Sequence, residues 1–139
     1  MKVINQLKSL KEELSFQNNQ SIGYVPTMGA LHQGHLSLVK LAKKKSQFVV
    51  ASIFVNPTQF NNKNDLKKYP RSLENDLDLL KSESVDLVFC PSYNELYANE
   101  KIVKVDLMGL DKTLEGSNRK GHFEGVIRVL NIFFSLIKP

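Results

Sequence analysis

The stretch Phe48-Val49-Val50-Ala51-Ser52-Ile53-Phe54-Val55 decides how this chain folds. It is almost unbroken in its apolar character, whereas a strand with one solvated face would alternate. Such a run suits a strand covered by helices on both faces of a parallel sheet, and Asn56-Pro57 ends it with a turn signal. Just before it, Leu36, Val39, Leu41 and Ala42 recur as a helix would place them. Before that helix, Ser21-Ile22-Gly23-Tyr24-Val25 reads as a short strand stopped by Pro26, and Ile4, Leu7, Leu10 and Leu14 predict an amphipathic helix ending near Asn18-Asn19.

On the other side, residues 61–68 are polar and read as a mobile surface loop. Ser72 is placed to cap the next helix, with Glu74, Asp76 and Asp78 in its early turns, where the helix dipole favours carboxylates. Leu73, Leu77 and Leu80 form its buried stripe. Val85-Asp86-Leu87-Val88-Phe89-Cys90 is a third short strand, ended by Pro91, and residues 102–106 alternate like an edge strand. From Phe123 to Ile137, Val126, Val129, Leu130, Phe133, Phe134 and Ile137 share a broad apolar face. Strand, helix, strand, helix, strand at these spacings predicts an α/β fold of right-handed βαβ units. Ligands in such sheets sit beyond the carboxyl ends of the strands, which points to the loops after Val25, Val55 and Phe89.

The chain has 139 residues, enough for one domain that buries roughly two-thirds of its unfolded surface without a disulfide or metal staple. Apolar residues at 42% and charged residues at 24% exclude a disordered or collagen-like chain. Cys90 is the only cysteine, which excludes an internal disulfide framework and a cysteine-rich zinc site. No run approaches a membrane span, and the first segment reads as neither signal peptide nor anchor, so a cytoplasmic location is expected. The net charge of +5 comes mostly from Lys, with Arg only at 71, 119 and 128, a poor match to a nucleic-acid reader. Lys43-Lys44-Lys45 falls at a helix end, where it complements the dipole.

The loop after the first predicted strand carries the chemistry: Pro26-Thr27-Met28-Gly29-Ala30-Leu31-His32-Gln33-Gly34-His35. Gly29 and Gly34 let backbone approach a ligand closely, and a helix beginning near Gly34 would aim free N–H groups into the crevice, a ready anion site. His32 and His35 share one face of that helix start and can donate hydrogen bonds to phosphate oxygens. A zinc site would need further ligands, and only His122 and Cys90 remain besides carboxylates. Cys90 at a buried strand end reads as a small core residue.

His32-Gln33-Gly34-His35 matches the His-x-Gly-His signature of the adenylyl-transferring nucleotidyltransferases, and Pro26 to Val39 resembles the pantothenate synthetase (pantoate–β-alanine ligase) family. Further motifs agree in order: Val55-Asn56-Pro57-Thr58-Gln59-Phe60, Asp65-Leu66 with Tyr69-Pro70-Arg71, Leu114-Glu115-Gly116, and Arg119 with Gly121-His122-Phe123 and Gly125-Val126. The resemblance implies a Rossmann-like parallel sheet of the nucleotidyltransferase type, ending before its last strand. Residues 1–139 would be the N-terminal nucleotide-binding domain, without the family's C-terminal lid domain. It further implies an ATP-dependent ligase that joins pantoate to β-alanine through pantoyl adenylate, with ATP and Mg²⁺ as the substrate complex and no tightly bound cofactor.

By motif, residues Pro26 to His35 would line the ATP site, with His32 and His35 on the phosphates and His35 the proton donor. Gln59, with Asn56 alongside, would hold pantoate and lie near β-alanine. Arg119 and His122 are further candidates, as an anion contact and as a capping or packing group; Tyr69 and Arg71 read as structural. The chain departs from the family pattern at Lys120, Arg128 and Ile132, where Pro, Thr and Lys are usual. Its shorter length implies little or no turnover by itself. A homodimer is expected, with no nucleic-acid or membrane partner. The alternatives are a non-catalytic nucleotide-binding or dimerisation fragment, and another His-x-Gly-His adenylyl- or cytidylyltransferase.

Overall fold

In the computed structural model, residues 1–60, 62–70, 72–98, 107–109, 112–113, 119 and 121–139 are described. They form a parallel four-stranded sheet with helices on both faces. The strands are β1 (Lys2–Ile4), β2 (Ile22–Thr27), β3 (Phe48–Ile53) and β4 (Leu87–Phe89), in spatial order β1-β4-β3-β2. The helices are α1 (Leu7–Ser15), α2 (Gln33–Lys45), α3 (Lys63–Lys68), α4 (Leu73–Ser82), α5 (Tyr93–Tyr97) and α6 (His122–Ile137), with a 3-10 turn at Pro57–Gln59.

The apolar run in β3 does what its composition requires. Val49, Val50, Ala51 and Ser52 are fully buried. The pleat sends Val49 and Ala51 to one face, among Val25, Val88, Val39 and Leu80, where α2 and α4 pack. Val50 goes to the other face, among Leu87, Phe89, Leu10, Val129 and Phe133, beneath α1 and α6. Each fully buried aliphatic or aromatic side chain contributes about 1.5–3 kcal/mol. Ser52 meets this apolar layer with its polarity answered: its hydroxyl lies 2.7 Å from that of Tyr24, whose ring packs on Phe133 and Phe134. Burial pushes the Tyr24 hydroxyl well above the usual phenol range.

At the amino ends of the strands, Asp86 ties α2 to the sheet by accepting from Val49 N at 2.7 Å and Lys43 Nζ at 3.0 Å. At the carboxyl ends, Thr27 stands level with Ile53, and both Ser52 and Ile4 stand level with Phe89. The loops that leave β2, β3 and β4 therefore open at one end of the sheet.

Several elements differ from the sequence expectation. Ile4 belongs to β1, paired with Phe89, and α1 begins only at Leu7, whose amide donates to Glu95 Oε1 across the fold. A three-residue edge strand this short leaves too little alternation to separate it from the helical period that follows. Pro26 does not stop β2, which continues to Thr27. Among the described strands β2 pairs on one side only, so a proline without an N–H is tolerated on its open edge. Residues 63–68 form α3 in place of the expected loop, started by the Asn62 side chain accepting from Asn64 N. Ser72 occupies the N-cap position of α4 without a side-chain capping bond, and Leu73 and Leu41 are half-exposed. The predicted strand at 102–106, Leu114-Glu115-Gly116, Arg71 and Lys120 lie outside the described residues.

Candidate active site

Every backbone amide from Gly29 to His32 has an identified acceptor. Gly29 N donates to Thr27 Oγ1 at 3.3 Å, Ala30 N to Asp76 Oδ2 at 2.9 Å, Leu31 N to Asp76 Oδ1 at 2.7 Å, and His32 N to His35 Nδ1 at 3.3 Å. Gly29 and Ala30 both have left-handed backbone, with φ of 83° and 52°. That conformation suits glycine and is disfavoured for alanine, so the turn needs the support that Asp76 supplies.

The start of α2 is capped by histidines. His32 is the N-cap, and its Nδ1 accepts from Gly34 N at 3.1 Å; His35, three residues on, returns the bond to His32 N. This is the reciprocal capping box, built from imidazoles in place of the usual Ser and Glu. Of the amides at this helix start, Gly34 N is taken by His32 Nδ1, while Leu36 N makes the ordinary helical bond to His32 O. The rings add donors of their own. An Nδ1 that accepts from a backbone amide carries no proton, so each neutral imidazole holds its hydrogen on Nε2. The two rings are 4.1 Å apart, which favours keeping at least one neutral. Burial, and then His32, hold the His35 pKa below the ordinary histidine value, against a smaller opposing pull from Asp76.

The second cluster forms around Asn56, which is 1% exposed. Its Oδ1 accepts from Thr58 N, Thr58 Oγ1 and Tyr97 Oη at 2.9–3.2 Å. Its Nδ2 donates to Gln59 Oε1 at 3.2 Å and to Gly125 O at 3.0 Å. Both ends of the carboxamide are thereby engaged inside the protein, so Asn56 stands behind Gln59 and its amide is used on the protein itself. Gln59 Nε2 reaches Met28 Sδ at 2.8 Å, a weak acceptor. α6 closes against this turn at Gly125, where a Cβ would fall 2.4 Å from Thr58 O. His122 also touches it: its Nδ1 is 2.9 Å from the carbonyl oxygen of Gln59, and a carbonyl can only accept, so this imidazole carries its proton on Nδ1. Arg119 meets His122 through its backbone, accepting from His122 N. Arg128 lies with its guanidinium 4.9 Å from the centre of the Tyr97 ring.

These clusters share one cleft of about 260 Å³ at the carboxyl end of the sheet. Pro26, Thr27, Met28 and His35 line it from the β2–α2 loop, Gln59 and Tyr69 from the region after β3, and Val126, Val129 and Phe133 from α6. His35 and Gln59 thus face one space. His32 is solvent-exposed beside it. A larger opening of about 470 Å³ adjoins it, with Met28 on the shared border and Asp76 in its lining. Burial keeps the Tyr69 hydroxyl, aided by the Asp76 charge, above its ordinary pKa. Cys90 is pushed up to about 11, chiefly by burial, which suits a packing thiol. Among the described residues, no group of three or more His, Cys, Asp or Glu side chains gathers as a metal site would require.

Two residues of this arrangement have roles that the sequence pattern does not disclose. Asp76 sits where the dipole of α4 favours a carboxylate, yet it falls beside the apolar stripe of Leu73, Leu77 and Leu80, and a carboxylate on a buried stripe is itself a signal. Tyr97 carries no motif, and only the fold brings it to Asn56.

A family model for pantoate-beta-alanine ligase matches residues 1–139. Pantothenate synthetase of Fervidobacterium nodosum is 49% identical over 139 residues, and that of Thermosipho melanesiensis 46% over 142; each comparison covers all of this chain. The chain spans about half the length of these relatives (49% and 50%). The crystal structure of pantoate-beta-alanine ligase from Francisella tularensis complexed with beta-gamma ATP and beta-alanine superposes with a TM-score of 0.93 at 41% identity, covering all of this chain and 54% of that one. Pantothenate synthetase from Thermus thermophilus gives 0.87 at 42% identity, covering all of this chain and 50% of that one.

Proposed function

The chain belongs to the pantoate–β-alanine ligase family, and from that premise we propose that residues 1–139 are the nucleotide-binding domain of an ATP-dependent ligase. In this reading, pantoate and ATP·Mg²⁺ meet in the cleft. The pantoate carboxylate attacks the α-phosphorus, the bond to the bridging oxygen breaks, and pyrophosphate leaves. The amine of β-alanine then attacks the acyl carbon of pantoyl adenylate, giving pantothenate and AMP. The carrying observation is that His35 and Gln59 line the same cleft.

The residues divide the work by their chemistry. His32 and His35 offer Nε2–H donors to phosphate oxygens, and His35 is the one beside the cleft, so it supplies the hydrogen bond to the leaving group. Residues Pro26 to His35, with Gln33 and Gly34 at the helix start, form the ATP wall. Gln59 has Oε1 engaged by Asn56 and one Nε2 hydrogen on the weak acceptor Met28 Sδ, which leaves the second Nε2 hydrogen for a pantoate hydroxyl or carboxylate. Asn56 acts through Gln59. His122 braces the Gln59 backbone, and Arg119 is retained as an anion contact. Mg²⁺ enters with the nucleotide as part of the substrate and spreads the phosphate charge.

Calorimetric titration tests this directly. Gln59→Ala is expected to weaken pantoate binding without a matching loss of Mg·ATP affinity, and His35→Asn to do the reverse. Unchanged pantoate affinity in Gln59→Ala overturns the reading. The 139-residue chain alone is expected to release little pantoate-dependent pyrophosphate beside its longer relatives; a rate equal to theirs overturns that part.

A second reading concerns assembly. Among the described strands, β2 has an open edge, and half-exposed Leu38, Leu41 and Phe134 lie on α2 and α6 near it. Open edges with apolar surroundings favour pairing with another chain, and a homodimer is expected. Light scattering that shows only monomer at high concentration overturns it. Among the described residues, no helix is long and apolar enough to cross a membrane.

A further inference from the structure

We propose that Asp76 is a positioning residue for the histidine pair: its carboxylate clamps the Gly29–Leu31 turn so that the next amide, that of His32, is held on Nδ1 of His35 and fixes this ring as an Nε2–H donor. The proposal rests on the reading of His35 as a phosphate contact, and its first observable does not depend on that reading.

Asp76 lies in α4, on a different element from the loop it holds, and is 1% exposed. It gives one oxygen to each of two consecutive amides, Oδ2 to Ala30 N and Oδ1 to Leu31 N. Those two bonds stand in for the water that burial removes. They fall on the segment that most needs holding, since Ala30 has a φ of 52° directly after Gly29 at 83°. The chain then turns extended at His32, with φ of −140°, and the third amide in the series meets His35 Nδ1. Two amides on the carboxylate and one on the imidazole form a single row, so a shift of the first two displaces the third.

The chemistry at this position is specific to a carboxylate. Both oxygens must accept, and an asparagine has only one acceptor oxygen, so its amino group would face an N–H. A neighbouring observation agrees: a Cβ on Gly29 would fall 2.9 Å from Asp76 Oδ2, so the oxygen sits directly against the turn. The charged and titratable groups about His35 are His32 on the same loop, Asp76 from α4, and Tyr69 across the cleft.

The test is nitrogen NMR of the histidine side chains in the 139-residue chain, without nucleotide. In the unaltered chain, His35 is expected as the Nε2–H tautomer, with a coupling across the hydrogen bond from His32 N to His35 Nδ1. Absence of that coupling, or an Nδ1–H tautomer, overturns the proposal without any variant. In Asp76→Asn, confirmed folded by circular dichroism, His35 is expected to shift toward a mixture of tautomers, and an unchanged tautomer overturns the proposal. Asp86→Asn is the control, a carboxylate that also accepts a backbone amide but at the opposite end of the sheet. An equal tautomer shift in that variant reports general loosening and likewise overturns it. Mg·ATP titration of Asp76→Asn is expected to show affinity weaker by about tenfold. A tautomer shift with unchanged affinity supports the role of Asp76 and removes the phosphate reading of His35 instead.

Discussion

Asn56 Nδ2 donates to Gln59 Oε1 at 3.2 Å, and that bond decides which end of the Gln59 amide is left for the cleft. Without it the amide can rotate and present either its oxygen or its nitrogen. Asn56→Ala also leaves Thr58 N without its acceptor and removes one bond each from Gly125 O and from Tyr97 Oη, which keeps Thr58 Oγ1 at 3.4 Å. Each buried polar group left unpaired costs about 1–3 kcal/mol. Asn56→Ala is therefore expected to lower stability by at least that amount in thermal or denaturant unfolding. It is also expected to weaken pantoate binding about tenfold by calorimetry, since Gln59 loses its orientation. Stability lost with pantoate affinity intact would separate the two roles and remove the positioning one.

The lowered pKa of His35 makes a prediction with a definite sign. The unfolded chain holds this imidazole at its ordinary value of 6.5, and the folded chain holds it lower. Between those two values the unfolded state binds more protons, so stability rises with pH across that window and is flat above 6.5 as far as His35 is concerned. The structural cause agrees, because protonation would put a hydrogen on Nδ1, where His32 N already donates. Urea unfolding from about pH 5 to about pH 8 measures the slope. His35→Gln is expected to flatten it below 6.5; an unchanged slope would show that other groups carry the pH dependence.

Gly125 sets how closely α6 approaches the Pro57–Gln59 turn. An added Cβ would stand 2.4 Å from Thr58 O, 2.6 Å from Thr58 C and 2.7 Å from Gln59 Cα, all of them backbone atoms with nowhere to retreat. Gly125→Ala is expected to cost about 1–3 kcal/mol by overpacking, although alanine is the better helix former. The same displacement moves Gln59, so pantoate affinity is expected to fall with stability. A gain in melting temperature would mean that helix propensity outweighs the contact and that the turn is softer than its geometry implies.

How much of this is legible in the sequence depends on the range of the interaction. The β3 run announces a parallel sheet because burial on both faces leaves a mark in composition, and the clusters around Val49 and Val50 match it. That Pro26, Thr27, Met28, His35 and Gln59 come to one cleft is legible through their motif. Features decided by partners distant in sequence are not. β1 exists because Ile4 pairs with Phe89, and α1 starts late because Glu95 caps Leu7. Nothing near residue 56 shows that its amide is spent on Gly125, or near residue 76 that its carboxylate belongs to residues 30 and 31. α3 is hidden for a different reason: its residues are nearly all polar, so hydrophobic period carries no signal and only the Asn62 cap could mark it.

Gly29→Ala brings backbone strain and contact to bear on one atom. At φ of 83°, any side chain is strained, and the new Cβ would also meet Asp76 Oδ2 at 2.9 Å. That oxygen cannot swing aside without releasing Ala30 N, and its partner oxygen holds Leu31 N. Gly109 provides the comparison, with a similar φ of 86° and nothing within 4 Å of its Cβ. Gly109→Ala is expected to show the backbone cost alone, about 1–2 kcal/mol in denaturant unfolding. Gly29→Ala is expected to exceed it by a further ~1–2 kcal/mol, the cost of crowding a buried hydrogen-bonded carboxylate. Equal losses in the two variants would mean that the carboxylate yields freely, and the turn would then owe its shape to glycine more than to Asp76.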